Sequence, residues 1–306
     1  MGEINIFSDS FFAMGTRCDV VFTSVDTPAA ENVFHLIKNE VKNLEFRMSR
    51  FIPDSPLSVL NAAGKNKWIQ VPDDLWEILS ICYDFYQISN GAFDITASSL
   101  IQLWKKNDNP SELQIQEALK NSGFNKVEFD FDNHRIRFLN DNIEFDLGAV
   151  GKGIALDFVK PVLMNRGIVN GIVSFGESSV LALGNHPNGK KWPLGIRNSY
   201  NPAEYVHVFS ACNETVTTSG TILNSDDGEV IWRKHIISPA TGLPVELNKN
   251  ISVKSASATW GEFLSTVLLI LPGNDQILLT EKMKEIEILE VQYSEEKEVK
   301  TKLTLL

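Results

Sequence analysis

FDLGAVGKGIALDFV, from Phe145 to Val159, is the stretch whose reading decides the rest of the chain. An apolar, β-like run ends at Asp146, then Gly148, Gly151 and Gly153 fall within six positions, and an amphipathic helix follows. Glycines at a strand-to-helix turn let the backbone approach a ligand closely, and a helix N-terminus offers unpaired N–H groups to an anion. Lys152 adds a positive charge at that turn. The pattern is neither a P-loop nor a dinucleotide fingerprint. GAVGKG has too short a gap between glycines and no Ser or Thr after the lysine. Alone, the stretch also reads as a glycine-rich turn that packs a helix on a sheet.

Outward from there, the totals set bounds. The 306 residues are 43% hydrophobic and 22% charged, enough for a sizeable core, and one merged domain over 1–306 is expected. A net charge of −11 argues against nucleic acid and against an anionic membrane surface. Cys18, Cys82 and Cys212 are odd in number and widely spaced, so they read as buried hydrophobes in a reducing compartment. The longest apolar run, Val267 to Leu271, is far too short for a membrane span.

In chain order, Phe11 to Phe22 reads as a strand interrupted by Met14-Gly15-Thr16. Pro28 opens a helix, with Thr27 as its cap and Val33, Ile37, Val41 and Leu44 on one face. A second helix covers Asp73 to Ser89 and stops at Asn90-Gly91, and a third lies near Pro110 to Lys120. VEFDFD and RIRFL flank Asn133-His134 as a hairpin. After the central helix come short glycine-broken strands, a polar turn at HIISPATGLPVE and a strand from Ile251 to Ser257. The helix ATWGEFLSTVLLIL, a last helix and two strands close the chain. Strands follow strands and helices come in blocks, which predicts an α+β fold with antiparallel sheets.

Glu262, Ser265 and Thr266 stand at i, i+3 and i+4, presenting three oxygen-bearing side chains on one helix face. A hard cation such as Mg²⁺ takes such ligands. Thr259-x-x-Glu262 is equally a capping box, with Ser265 and Thr266 as ordinary helix polar residues. His235, after Arg233 and Lys234, could serve as a general base, the role for which histidine is most often used. Asp94 could simply anchor a turn.

Seven segments then occur in a fixed order: AMGT from Ala13, SRFIPDSPLSVLN from Ser49, GAFDIT from Gly91, DLGAVGKG from Asp146, TTSG from Thr217, HIISPATGLP from His235 and GEFLST from Gly261. The series resembles the ApbE family of FAD:protein FMN transferases over nearly the whole chain. The resemblance implies an ApbE-like (T-fold-like) α+β architecture and Mg²⁺-dependent transfer of FMN from FAD to a Thr or Ser of an acceptor flavoprotein, with AMP released. It implies that the Ala149 carbonyl, Glu262, Ser265 and Thr266 hold the metal, and that Asp146 and Lys152 contact FAD. Met14, Phe51, Ala92, Phe93 and Asp94 would line the flavin and adenosine pockets with Ile237 nearby, and His235 would be the base.

The chain departs from the family pattern at several of these places. Glu262 stands for the usual Asp and Phe51 for the common Tyr; HxIDP reads His235-Ile236-Ile237-Ser238-Pro239, and a GGD-like segment is Gly176-Glu177-Ser178. An FAD pyrophosphatase giving FMN and AMP, or a non-catalytic FAD-binding protein, are the alternatives. Because AMGT begins so near Met1, and lipidation at Cys18 would remove Met14, a cytoplasmic enzyme is expected.

Overall fold

The computed structural model describes residues 5–24, 27–224, 230–232, 234–281 and 283–306. The chain opens with β1 (Asn5–Ala13) and β2 (Thr16–Ser24), then α1 (Thr27–Met48), α2 (Pro56–Asn61) and β3 (Ile69–Gln70). Next come α3 (Asp73–Ile88), α4 (Ser98–Lys106), α5 (Glu112–Lys120), β4 (Val127–Asp130), β5 (Arg135–Phe138) and α6 (Gly151–Asn165). The strands β6 (Gly171–Phe175), β7 (Ser179–Leu183), β8 (Trp192–Asn198), β9 (Asn201–Ala211), β10 (Glu214–Gly220), β11 (Ile222–Asn224) and β12 (Val230–Trp232) follow. The chain ends with β13 (Lys249–Ser255), α7 (Ala258–Ile270), α8 (Gly273–Thr280), β14 (Glu287–Tyr293) and β15 (Val299–Leu305).

Eight strands form one antiparallel sheet in the order β1-β2-β6-β7-β10-β13-β14-β15. Its two faces are covered differently. Along β10 the alternation sends Val216 into a cluster with Phe209, Leu289, Val291 and Tyr293, under the β8–β9 hairpin. Thr215 and Thr217, fully buried, lie on the other face, where α7 packs. The main core runs between that face and α1, α6 and α7. This mixed antiparallel architecture bears out the α+β expectation. Among the described residues no helix is long and apolar enough to cross a membrane.

Local sequence explains most elements. Val33, Ile37, Val41 and Leu44 of α1 are all buried, as their spacing requires; the Thr27 side chain and Arg233 lie outside the described residues. The α3 helix ends where Asn90 and Gly91 take φ of 50° and 81°, and the Gly91 N–H donates to the Tyr86 carbonyl.

Three expectations change. The interruption at Met14-Gly15 is a two-residue hairpin turn, with φ of 53° and 71°, so two antiparallel strands replace one. The α4 helix was not anticipated, since Ser98 and Ser99 are weak helix formers and the element is only nine residues long. The run before the central turn is extended but unpaired as a strand. Its Phe145 N–H and carbonyl bond instead to the Asn61 side chain, at 2.9 and 3.0 Å, and the Asp146 N–H donates to the Ile95 carbonyl at 2.7 Å.

The placement of α7 against α6 is the step that assembles the site. Asp157 of α6 accepts hydrogen bonds from the Ser257 hydroxyl, the Ala258 and Thr259 N–H groups and the Thr259 hydroxyl, at 2.7 to 2.9 Å. One carboxylate thus satisfies the positive end of α7 from across the interface. One turn earlier, a Cβ on Gly153 would lie 2.6 Å from the Ala258 carbonyl oxygen and 2.8 Å from Glu262 Cγ, so glycine sets how closely the helices cross. Asp157→Ala, which strips all four bonds, should lower unfolding free energy by about 2–4 kcal/mol. Urea denaturation of wild type and variant checks this.

Candidate active site

The central turn gathers groups from four other segments. Asp146 accepts from the Gly148 N–H at 2.9 Å, and its other oxygen lies 2.9 Å from Arg50 Nε. Arg50, whose side chain is only 10% exposed, also reaches Glu144 at 3.4 Å and places its guanidinium carbon 4.6 Å from the centre of the Phe51 ring. Phe51 is 77% exposed, an apolar ring face turned to solvent. Ser98 at the start of α4 also bonds to Glu144. Met14 donates its N–H to Glu45 at 2.6 Å, and its sulfur stands 3.9 Å from the place a Cβ on Gly151 would take. Ala149 is exposed, and among the described residues no hydrogen bond reaches its carbonyl. Lys152, in the first turn of α6, extends its ammonium to Ser178 Oγ at 2.5 Å and to Glu262 Oε1 at 3.8 Å.

From the α7 side the capping alternative is resolved. The cap is Ser257, whose hydroxyl accepts from the Trp260 N–H, so Thr259 and Glu262 form no capping box. Glu262 is therefore available for other work, and it is 3% exposed. Its Oε1 accepts from Ser179 Oγ at 2.5 Å; Oε2 receives no hydrogen bond from the described residues. Burial pushes the Glu262 carboxyl above the usual range, with Lys152 and Ser179 pulling back. Ser265 and Thr266 meet Ser219 of the TTSG segment, at 2.8 and 3.1 Å.

Among the described residues there is no cluster of three or more His, Cys, Asp or Glu. What stands here is an all-oxygen set: one buried, under-compensated carboxylate, an exposed carbonyl and hydroxyls. That chemistry fits a hard cation that keeps waters and shares its remaining positions with phosphate oxygens.

The remaining candidates are placed differently. Ala92 and Phe93 are buried, and the Phe93 ring packs on Phe85 and Phe263 in the core behind the site. Asp94 spends both oxygens inside the protein, accepting from the Thr96 N–H and hydroxyl and from the Phe124 N–H. Burial raises its pKa while those bonds oppose the shift. The turn-anchoring alternative for Asp94 therefore describes its bonding. Ile237 is buried with Ala97, Leu100 and Ala118, and Trp104 donates to the Gly242 carbonyl at 2.8 Å, so the His235 segment docks on α4 and α5. His235 itself is exposed.

Arg50, Ser179, Asp157 and Glu45 were not singled out from sequence. Arg50 stands beside the quoted aromatic, yet its partners lie 94 and 96 residues on, and no local pattern points to them. Arg50→Met would leave Asp146 and Glu144 without their cation and should cost about 1–3 kcal/mol in urea unfolding. Arg50→Lys, which keeps charge but loses the planar fork, should cost less.

Residues 14–289 match the model of the ApbE family. A FAD:protein FMN transferase of Buchnera aphidicola is 27% identical over 268 residues, covering 84% of this chain and 78% of that protein. One of Treponema pallidum is 25% identical over 294 residues, covering 88% and 80%. The flavin transferase ApbE of Vibrio cholerae has the same fold, with a TM-score of 0.85 at 19% identity over 99% of this chain and 98% of that one. So does an ApbE protein of Thermotoga maritima, with a TM-score of 0.82 at 23% identity over 97% and 96%. With a family match that spans residues 14–289, from the first hairpin into β14, this chain belongs to the ApbE family.

Proposed function

We propose that this chain is a Mg²⁺-dependent FAD:protein FMN transferase that moves FMN from FAD to a Thr or Ser hydroxyl of an acceptor flavoprotein. The observation that carries the reading is the meeting of Lys152 and the buried Glu262 carboxylate, 3.8 Å apart, where the glycine turn abuts α7. Family membership and the named activity of the relatives support it. The Ala149 carbonyl and Glu262 would hold Mg²⁺, with Ser265 and Thr266 extending the oxygen set. Bound there, the ion would neutralise pyrophosphate charge, which phosphoryl transfer needs most.

The chain's own groups supply the rest. Phe51 offers its exposed face to the isoalloxazine, and Met14 borders the turn. Asp146 and Lys152 address FAD from the turn, and Ala92, Phe93 and Asp94 shape the wall behind it, with Ile237 anchoring the neighbouring segment. His235 takes the proton of the acceptor hydroxyl. The acceptor oxygen forms a bond to the phosphorus of the FMN half as the bond from that phosphorus to AMP breaks, and AMP leaves with the electron pair.

Chromatography of FAD, FMN and AMP, with and without an acceptor flavoprotein, tests this. AMP formation that requires acceptor supports transfer; equal FMN and AMP without acceptor makes the chain a pyrophosphatase, and unchanged FAD leaves only binding. The same reading treats the chain as one merged unit, supported by a core cluster that runs from Phe11 to Ile288. It also places the enzyme in the cytoplasm. Cys18 and Cys82 are buried as small hydrophobes of the core, and burial pushes the Cys18 thiol up to about 12, which keeps it unreactive. Fractionation of host cells into cytoplasm, membrane and periplasm decides the location.

A further inference from the structure

Glu262 is held from beneath as well as from the turn. Ser179, the first residue of β7, is fully buried, and its hydroxyl donates to Glu262 Oε1 at 2.5 Å. Its cross-strand neighbour is Thr217 of β10. Thr217 Oγ1 is buried without a hydrogen-bond partner among the described residues and lies 2.4 Å from where a Cβ on Gly261 would be. The sheet therefore presents two adjacent hydroxyls to the first turns of α7, and only Ser179 engages the carboxylate. On the opposite side Lys152 is tied to Ser178 and approaches the same oxygen from 3.8 Å, beyond hydrogen-bond length. Glu262 Cγ is confined by Gly153. One atom thus fixes the last torsion of this side chain: Ser179 Oγ. Anchoring Oε1 leaves Oε2, which no described donor reaches, as the oxygen that faces a cation.

We infer that Ser179 is a positioning residue for the cation site, locking Glu262 from the sheet side so that Oε2 is the ligating oxygen. The inference rests on the reading of Glu262 as a metal ligand. A ligating carboxylate held by an outer hydrogen bond binds metal more tightly, because the rotamer is fixed before the ion arrives. Losing such a partner typically weakens affinity by roughly 10–100-fold. Ser179→Cys keeps the volume with a weaker donor, and so should fall between wild type and Ser179→Ala.

The test is Mn²⁺ binding by electron paramagnetic resonance at saturating FAD without acceptor. It uses wild type, Ser179→Ala, Ser179→Cys, Glu262→Gln and the Ser179→Ala/Glu262→Gln double variant, each with a melting curve. The expected result is about 10–100-fold weaker Mn²⁺ binding for Ser179→Ala, an intermediate loss for Ser179→Cys, and no further loss when Ser179→Ala is added to Glu262→Gln. Mn²⁺ affinity of both Ser179 variants within about twofold of wild type, beside a large loss for Glu262→Gln, overturns the inference, whatever the melting curves do. Unchanged affinity for Glu262→Gln itself overturns the ligand reading underneath it.

Discussion

Glu262→Gln should remove Mg²⁺-dependent FAD turnover, by at least about 100-fold, while leaving the folded protein as stable as wild type or more so. The two halves of this result have different causes. Turnover falls because the amide carries no charge for the cation. Stability holds because Glu262 caps nothing: Ser257 and Asp157 already satisfy the start of α7. Burial already disfavours its charged form, and glutamine keeps its shape.

The pH dependence follows from the same shift. With the carboxyl raised by burial, the native state keeps its proton to higher pH than the unfolded chain does. Stability contributed by this group is therefore full below the ordinary glutamate range and is lost as pH rises through the raised native value. Without metal, wild type should weaken relative to Glu262→Gln as pH rises from the ordinary glutamate range through the raised native value. Melting temperatures of both proteins across that range in chelator check the trend. A gap that narrows as pH rises would remove the buried-charge argument.

The second large effect is at Gly153. An alanine there would ordinarily gain up to about 1 kcal/mol in a helix interior. Here its Cβ would meet the Ala258 carbonyl oxygen at 2.6 Å and carbon at 2.8 Å, backbone atoms that Asp157 pins in place. The overlap wins, so Gly153→Ala should destabilise by about 1–3 kcal/mol and displace Glu262, with FAD turnover falling alongside. Gly273→Ala is the control: nothing lies within 4 Å of its Cβ and the residue is helical, so stability should be unchanged or slightly higher. Parallel urea titrations and FAD turnover assays of the two variants check the pair.

What could be read from sequence was what short-range pattern controls. The α1 stripe, the stop at Asn90-Gly91, the hairpin around His134 and the closing helix with two strands all follow from spacing or turn chemistry, and they stand in the structure. The limits come from long-range contacts. Thr259 had the sequence of a helix cap, yet Ser257 caps α7, and Asp157, 100 to 102 residues earlier, accepts from both hydroxyls. Phe145 read as strand because it is apolar, but a side chain from α2, 84 residues earlier, takes the place of a strand partner. Of the site, Lys152 and Glu262 stand 3.8 Å apart although 110 residues separate them in sequence. Ser265 and Thr266 share Ser219 as a hydrogen-bond partner, and Phe93 turns inward to the aromatic core. Ser179 had no signal at all, being one serine among several in a β-rich run.

The central claim is group transfer to protein, and the intact mass of an acceptor flavoprotein tests it most directly. Acceptor incubated with this enzyme, FAD and Mg²⁺ should gain the mass of one FMN less one water, on a peptide whose Thr or Ser is the modified residue. The gain should disappear with chelator or with Glu262→Gln. An acceptor of unchanged mass, in a reaction where FAD has been converted to free FMN and AMP, would contradict the account.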